Sequence, residues 1–147
     1  GGDIPLYISR VKADAYRRQL TNDDLLITAD TIVWVDGQQL GKPKDEADAC
    51  RMIRLLSGKT HQVFTGVTLT TSSQQSSFVS RTDVTFRCLT EEEITHYVKQ
   101  YAPLDKAGAY GIQEWIGYIG CTGLQGSYFN VVGLPTEALY EALKRLE

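Results

Sequence analysis

A single mixed α/β domain with antiparallel strand pairing is predicted by three observations. The chain has 147 residues, 42% of them hydrophobic and 22% charged, which is ordinary for a soluble domain and long enough for a real core. Its segments run in the order α-β-β-α-β-β-α-loop-α, so strands come in adjacent pairs rather than in repeating β-α-β units. No internal repeat and no linker interrupts that order. Residues 1–147 are therefore expected to form one domain, with a central mostly antiparallel or mixed sheet, helices on its faces and a cleft.

The first element is a helix over about Pro5–Leu20, with Pro near its start, Ile4, Ile8, Val11 and Ala15 along one apolar face, and Thr21-Asn22-Asp23 ending it. Leu25–Ala29 and Ile32–Val35 read as strand, and Asp36-Gly37 is a hairpin turn signal. After the loop Gly41-Lys42-Pro43, Asp45 is suited to cap a helix that runs to Leu56 and closes at Ser57-Gly58. Ala47, Cys50, Ile53, Leu55 and Leu56 supply its apolar stripe. The β-branched run Thr60–Thr71 is a strand, with Gly66 marking a bulge or a close approach. Beyond the polar turn Ser72–Ser77, Phe78–Leu89 alternates through Val79, Val84 and Phe86 and pairs as a second strand. Thr90 and Glu93 form a capping box for a helix that ends near Ala102, before Pro103. The glycine-rich stretch that follows reads as irregular, and Pro135–Leu146 closes the chain as a helix with Leu139, Leu143 and Leu146 facing inward.

Composition narrows the function. Fifteen Lys and Arg against 18 Asp and Glu give a net charge of −3, which argues against nucleic acid as a partner. No run of residues reaches the length of a membrane span, and no signal peptide is visible. Cys50, Cys88 and Cys121 lie far apart, fit no zinc spacing and suit a reducing compartment, so a cytoplasmic location is expected.

Within LLITADTIVWV, the acidic Asp30 interrupts an apolar run, and an ionised carboxylate among such neighbours needs a cation or several donors. An Asp there also serves a turn or a bulge. The functional reading has Thr28, Asp30 and Thr31 presenting oxygens at one place, where a carboxylate holds Mg²⁺ or Mn²⁺ or orients an attacking water. Lys42, between Gly41 and Pro43, is either a solvated turn lysine or an ammonium held over phosphate charge. Gln113 either bonds backbone or reads the edge of a base. Lys12 alone reads as a solvated helix residue. His61 and His96 have no evident partner for a nucleophilic triad, and no GxxxxGK[ST] loop is present.

Taken together, ADTIV, LGKP, LLSGKTHQVFTGV, DKAGAYGIQ and GSYFNVVGLP occur in an order that resembles the Maf (septum-formation-inhibitor-like) family of nucleoside triphosphate pyrophosphatases. The match runs from about Lys12 to the last helix. The resemblance implies hydrolysis of a nucleoside triphosphate to its monophosphate and pyrophosphate with a divalent metal, Mg²⁺ or Mn²⁺. It implies Asp30 as the acidic catalytic residue and metal ligand, and Lys42 and Lys12 as phosphate contacts. Thr31 and Gln113 look like the pair of the subgroup acting on dTTP and UTP. The family normally opens with a strand and a Ser-x-Ser-Pro-Arg-Arg phosphate loop, neither of which is in these residues, so an incompletely covered sheet edge is expected. Dimers are common in such families, so the resemblance allows a homodimer, but no segment marks an interface. A non-catalytic nucleotide-binding regulator of cell division or septum formation is the alternative.

Overall fold

Residues 1–146 are described by the computed structural model, and short-range turn chemistry accounts for much of their path. Asp36 and Gly37 both take positive φ, 51° and 76°, and join strands β1 (Leu26–Val35) and β2 (Gln38–Leu40) as a two-residue hairpin. That backbone matches the right-handed twist of the strands it links, and glycine adopts it without strain. Strands β3 (Thr60–Thr70) and β4 (Gln75–Phe86) form a long second hairpin, and β5 (Cys121–Gln125) adds to its edge. The sheet order is β2-β1-β3-β4-β5, antiparallel throughout.

The expected helices are present as α1 (Asp3–Tyr16), α2 (Glu46–Leu56) and α3 (Glu91–Tyr101). Asp45 caps α2 by accepting from the Asp48 amide, and Thr90 with Glu93 completes both halves of the capping box on α3. The glycine-rich stretch is more regular than its sequence reads. It holds α4 (Trp115–Gly120), β5 and α5 (Tyr128–Val132) before α6 (Thr136–Leu146). The sequence CTGLQ has little strand propensity, and β5 exists through its pairing with β4. Likewise β1 is one unbroken strand through Asp30, whose backbone sits directly opposite Gly66.

Register sorts the side chains onto two faces, because opposed residues of a ladder point the same way. Val33, Val35, Val63, Val84 and Phe86 share a core with α2, α3 and Ile116 of α4, and Val67 and Leu69 meet Leu139 and Ala142 of α6. The other face carries α1. There the expected helix face is corrected. Ile4 and Val11 are exposed, and the buried stripe is Pro5, Ser9 and Ala13. The reason is Gly66, where an added Cβ would lie 2.4 Å from the Pro5–Leu6 backbone. Only small helix residues permit that approach, and the Ser9 and Thr68 hydroxyls, 2.7 Å apart, fill the contact. Gly66 therefore marks a close approach, and the bulge lies elsewhere, at Thr85/Phe86. α1 also stops at Tyr16, short of the expected Leu20, and passes into a single tight turn over Arg17–Gln19.

Candidate active site

β2 pairs only with Val33–Val35, so among the described residues β1 has no partner on that edge from Leu26 to Ile32. This open edge forms one side of a cleft of about 310 Å³. Lys12, Asp30, Thr31, Lys42 and Gln113 all line it. Segments separated by more than seventy residues in sequence thus converge on one cavity.

Each side chain is placed by a local cause. Asp30 lies on the α1 face of β1 and is 22% exposed, at the mouth of the cleft rather than sealed among apolar groups. The Gly66 contact brings α1 down beside it. Lys12 Nζ consequently donates to the Ala29 carbonyl at 2.9 Å and to Asp30 Oδ1 at 3.3 Å. An ammonium has three donors, so one remains for an incoming anion. Thr31 lies on the opposite face, its hydroxyl 2.9 Å from that of buried Thr65.

Lys42 is held through its loop. Pro43 is buried, and the Gly41 carbonyl accepts from the Gly108 amide at 3.1 Å. Gly108 has φ 74°, and a Cβ there would stand 2.9 Å from Val33 Cγ2, so glycine is needed where the two loops meet. Gln113 projects from a tight turn in which the Glu114 amide donates to the Gly111 carbonyl at 3.0 Å. Its neighbour Ile112 is 6% exposed, anchored in the core, while Gln113 itself is exposed to the cleft.

The cleft contains residues that sequence reading passed over. Asp105 and Lys106 form an ion pair at 3.2 Å on its wall, and Lys106, with Lys42 further off, holds the Asp105 carboxyl below its ordinary range. Tyr110, Gly111 and Val131–Gly133 also line it. All lie in the motifs DKAGAYGIQ and NVVGLP, yet spacing alone does not say which way loop side chains point. His61, without an evident partner in sequence, is buried with Nε2 2.5 Å from the Tyr110 hydroxyl.

The donor set suits a hard divalent cation bound mainly through substrate. Asp30 Oδ1 meets Lys12, and the second carboxylate oxygen has no hydrogen-bond partner among the described residues. Among the described residues no cluster of three or more His, Cys, Asp or Glu forms an all-protein cage. Mg²⁺ and similar ions commonly sit on one or two carboxylates plus phosphate oxygens and water. No helix among the described residues is long and apolar enough to cross a membrane.

The chain is also similar to known proteins over nearly its whole length. The family model described as Maf-like protein matches residues 3–146. A dTTP/UTP pyrophosphatase of Bacteroides thetaiotaomicron is 60% identical over 146 residues, covering 99% of this chain and 76% of that protein. One of Porphyromonas gingivalis is 52% identical over 143 residues, 96% of this chain and 72% of the relative. A third, from Flavobacterium psychrophilum, is 49% identical over 138 residues, 94% and 71% of the two chains.

Proposed function

This chain belongs to the Maf-like protein family, and from that premise we propose that it is a nucleoside triphosphate pyrophosphatase acting on dTTP and UTP. The reaction converts the triphosphate to its monophosphate and pyrophosphate. The observation that carries this reading is the convergence of Lys12, Asp30, Thr31, Lys42 and Gln113 on one cleft.

The residues divide the work by chemistry. Lys12 and Lys42 neutralise the triphosphate and the charge that builds on it as the α–β anhydride bond breaks. Asp30 orients a water for attack on the α-phosphorus and accepts its proton, and pyrophosphate leaves. Lys12, on Asp30 Oδ1, keeps that carboxylate aimed. A divalent cation, Mg²⁺ or Mn²⁺, would be held by Asp30 and would supply further neutralising charge on the phosphates. Gln113 presents an amide that both donates and accepts, which suits the edge of a pyrimidine, and Thr31 fixes the opposite wall. The apolar Val131–Gly133 segment bounds the remaining side.

Incubation of the full-length protein with dTTP and Mg²⁺, with products resolved by chromatography, tests the reading. The expected result is dTMP and pyrophosphate in equal amounts, formed faster from dTTP and UTP than from GTP. Formation of dTDP and inorganic phosphate, or no turnover of any nucleotide, overturns it.

A further inference from the structure

The turn that carries Gln113 has a brace outside the cleft. Tyr97, on α3, is fully buried, and its hydroxyl meets two groups of that turn. It accepts from the Gly111 amide at 3.0 Å and donates to Glu114 Oε1 at 2.7 Å. Gly111 and Glu114 are the two ends of the turn, joined to each other by the Glu114 amide and the Gly111 carbonyl. One phenol therefore fixes both ends of the four-residue segment whose third member is Gln113.

The surroundings leave the turn few alternatives. A Cβ at Gly111 would lie 2.8 Å from Glu114 Oε1 and 3.0 Å from Lys106 Cε. A Cβ at Gly117 would overlap the Ile112 carbonyl, so the first turn of α4 packs directly on the backbone before Gln113. Burial and the Glu114 carboxylate both push the Tyr97 phenol above its ordinary range, so it stays a proton donor. Neither Tyr97 nor Glu114 lines the cleft.

We infer that Tyr97 and Glu114 are positioning residues for nucleobase recognition, acting through the backbone of the turn to hold the Gln113 amide against the base. The inference rests on the proposed activity and deepens it: base selectivity is set by α3 as well as by the cleft wall. Phosphate contacts and the water come from β1, α1 and the Lys42 loop, so loosening this turn should weaken base binding and leave the chemical step largely intact.

Steady-state kinetics with dTTP and GTP on full-length Tyr97→Phe, Glu114→Ala, Glu114→Gln, Gln113→Ala and Tyr97→Phe/Gln113→Ala test this. Tyr97→Phe and Glu114→Ala are expected to raise KM for dTTP on the order of tenfold, with kcat within about threefold of wild type and the preference over GTP reduced. Glu114→Gln keeps an acceptor for the phenol and should restore near-normal KM. The double variant should be no worse than Gln113→Ala alone, since the brace works through that side chain. A fall in kcat at unchanged KM, or multiplicative effects in the double variant, overturns the inference. Absence of turnover by wild type would sink the proposed activity instead. The brace is then read by amide hydrogen exchange with dTTP present: Tyr97→Phe must abolish protection of residues 111–114 by nucleotide, and retained protection refutes it.

Discussion

Lys12 and Asp30 show how little of a side chain's role its own position reveals. Lys12 is a half-exposed residue of an amphipathic helix, and its pair with Asp30 is too solvated to contribute much to stability. Its value is geometric: the ammonium is placed over the cleft edge by α1. A Lys12→Gln variant should keep the wild-type melting temperature within a degree or two while kcat/KM for dTTP falls on the order of tenfold or more. Lys42→Gln should lose at least as much. A melting shift as large as the activity loss would mean that these lysines serve the fold. His61 behaves differently. Burial lowers its pKa from 6.5 to about 4, with Asp83 opposing weakly, so the folded protein binds fewer protons there than the unfolded chain. The associated stability is complete above pH 6.5 and is lost as pH falls toward 4, by about 3 kcal/mol in all. Urea midpoints measured across that window should fall with pH, and a His61→Gln variant should show a shallower slope.

At the scale of elements, packing of α1 on Gly66 couples fold to site. Gly66→Ala pushes a methyl into the Pro5–Leu6 backbone, which cannot give way like a flexible side chain. A loss at or above the upper end of roughly 1–3 kcal/mol is expected, together with reduced kcat/KM, because moving α1 also moves Lys12 from Asp30. Thermal melting and dTTP kinetics on the same sample check it; an unaltered melt with normal activity would show that α1 does not depend on this contact. Elements with local signals were legible from sequence: the Asp36-Gly37 hairpin, the Asp45 cap, the Thr90–Glu93 box and the β3–β4 pairing. Those made by tertiary contact were not. β5 is paired into existence by β4, and α1 hides its small residues because Gly66 invites them, against the apolar periodicity of Ile4, Ile8 and Val11. The cleft followed the same division. Asp30, Lys42 and Gln113 stood out as chemistry set in motifs, whereas Asp105, Lys106 and the Tyr97 brace depend on loop directions that residue spacing does not encode.

For the whole molecule, the net charge of −3 sits against a cleft lined by Lys12, Lys42 and Lys106, with only Asp30 and Asp105 opposing them among the described residues. Three cations against two anions leave the cleft locally positive on an acidic protein. Such focusing draws a polyanion to the site and weakens as salt screens it. Raising KCl should therefore lower kcat/KM for dTTP through KM, with kcat little changed; a salt-independent kcat/KM would remove steering from the picture. The central claim is that the carboxylate on the open edge of β1 drives hydrolysis at the α-phosphorus. Turnover of dTTP with Mg²⁺ by full-length Asp30→Asn, a nearly isosteric change that removes only the charge, tests it most directly. The rate should fall on the order of 10²-fold or more while the fold, read by melting, stays intact; an Asn variant hydrolysing dTTP at the wild-type rate would contradict it.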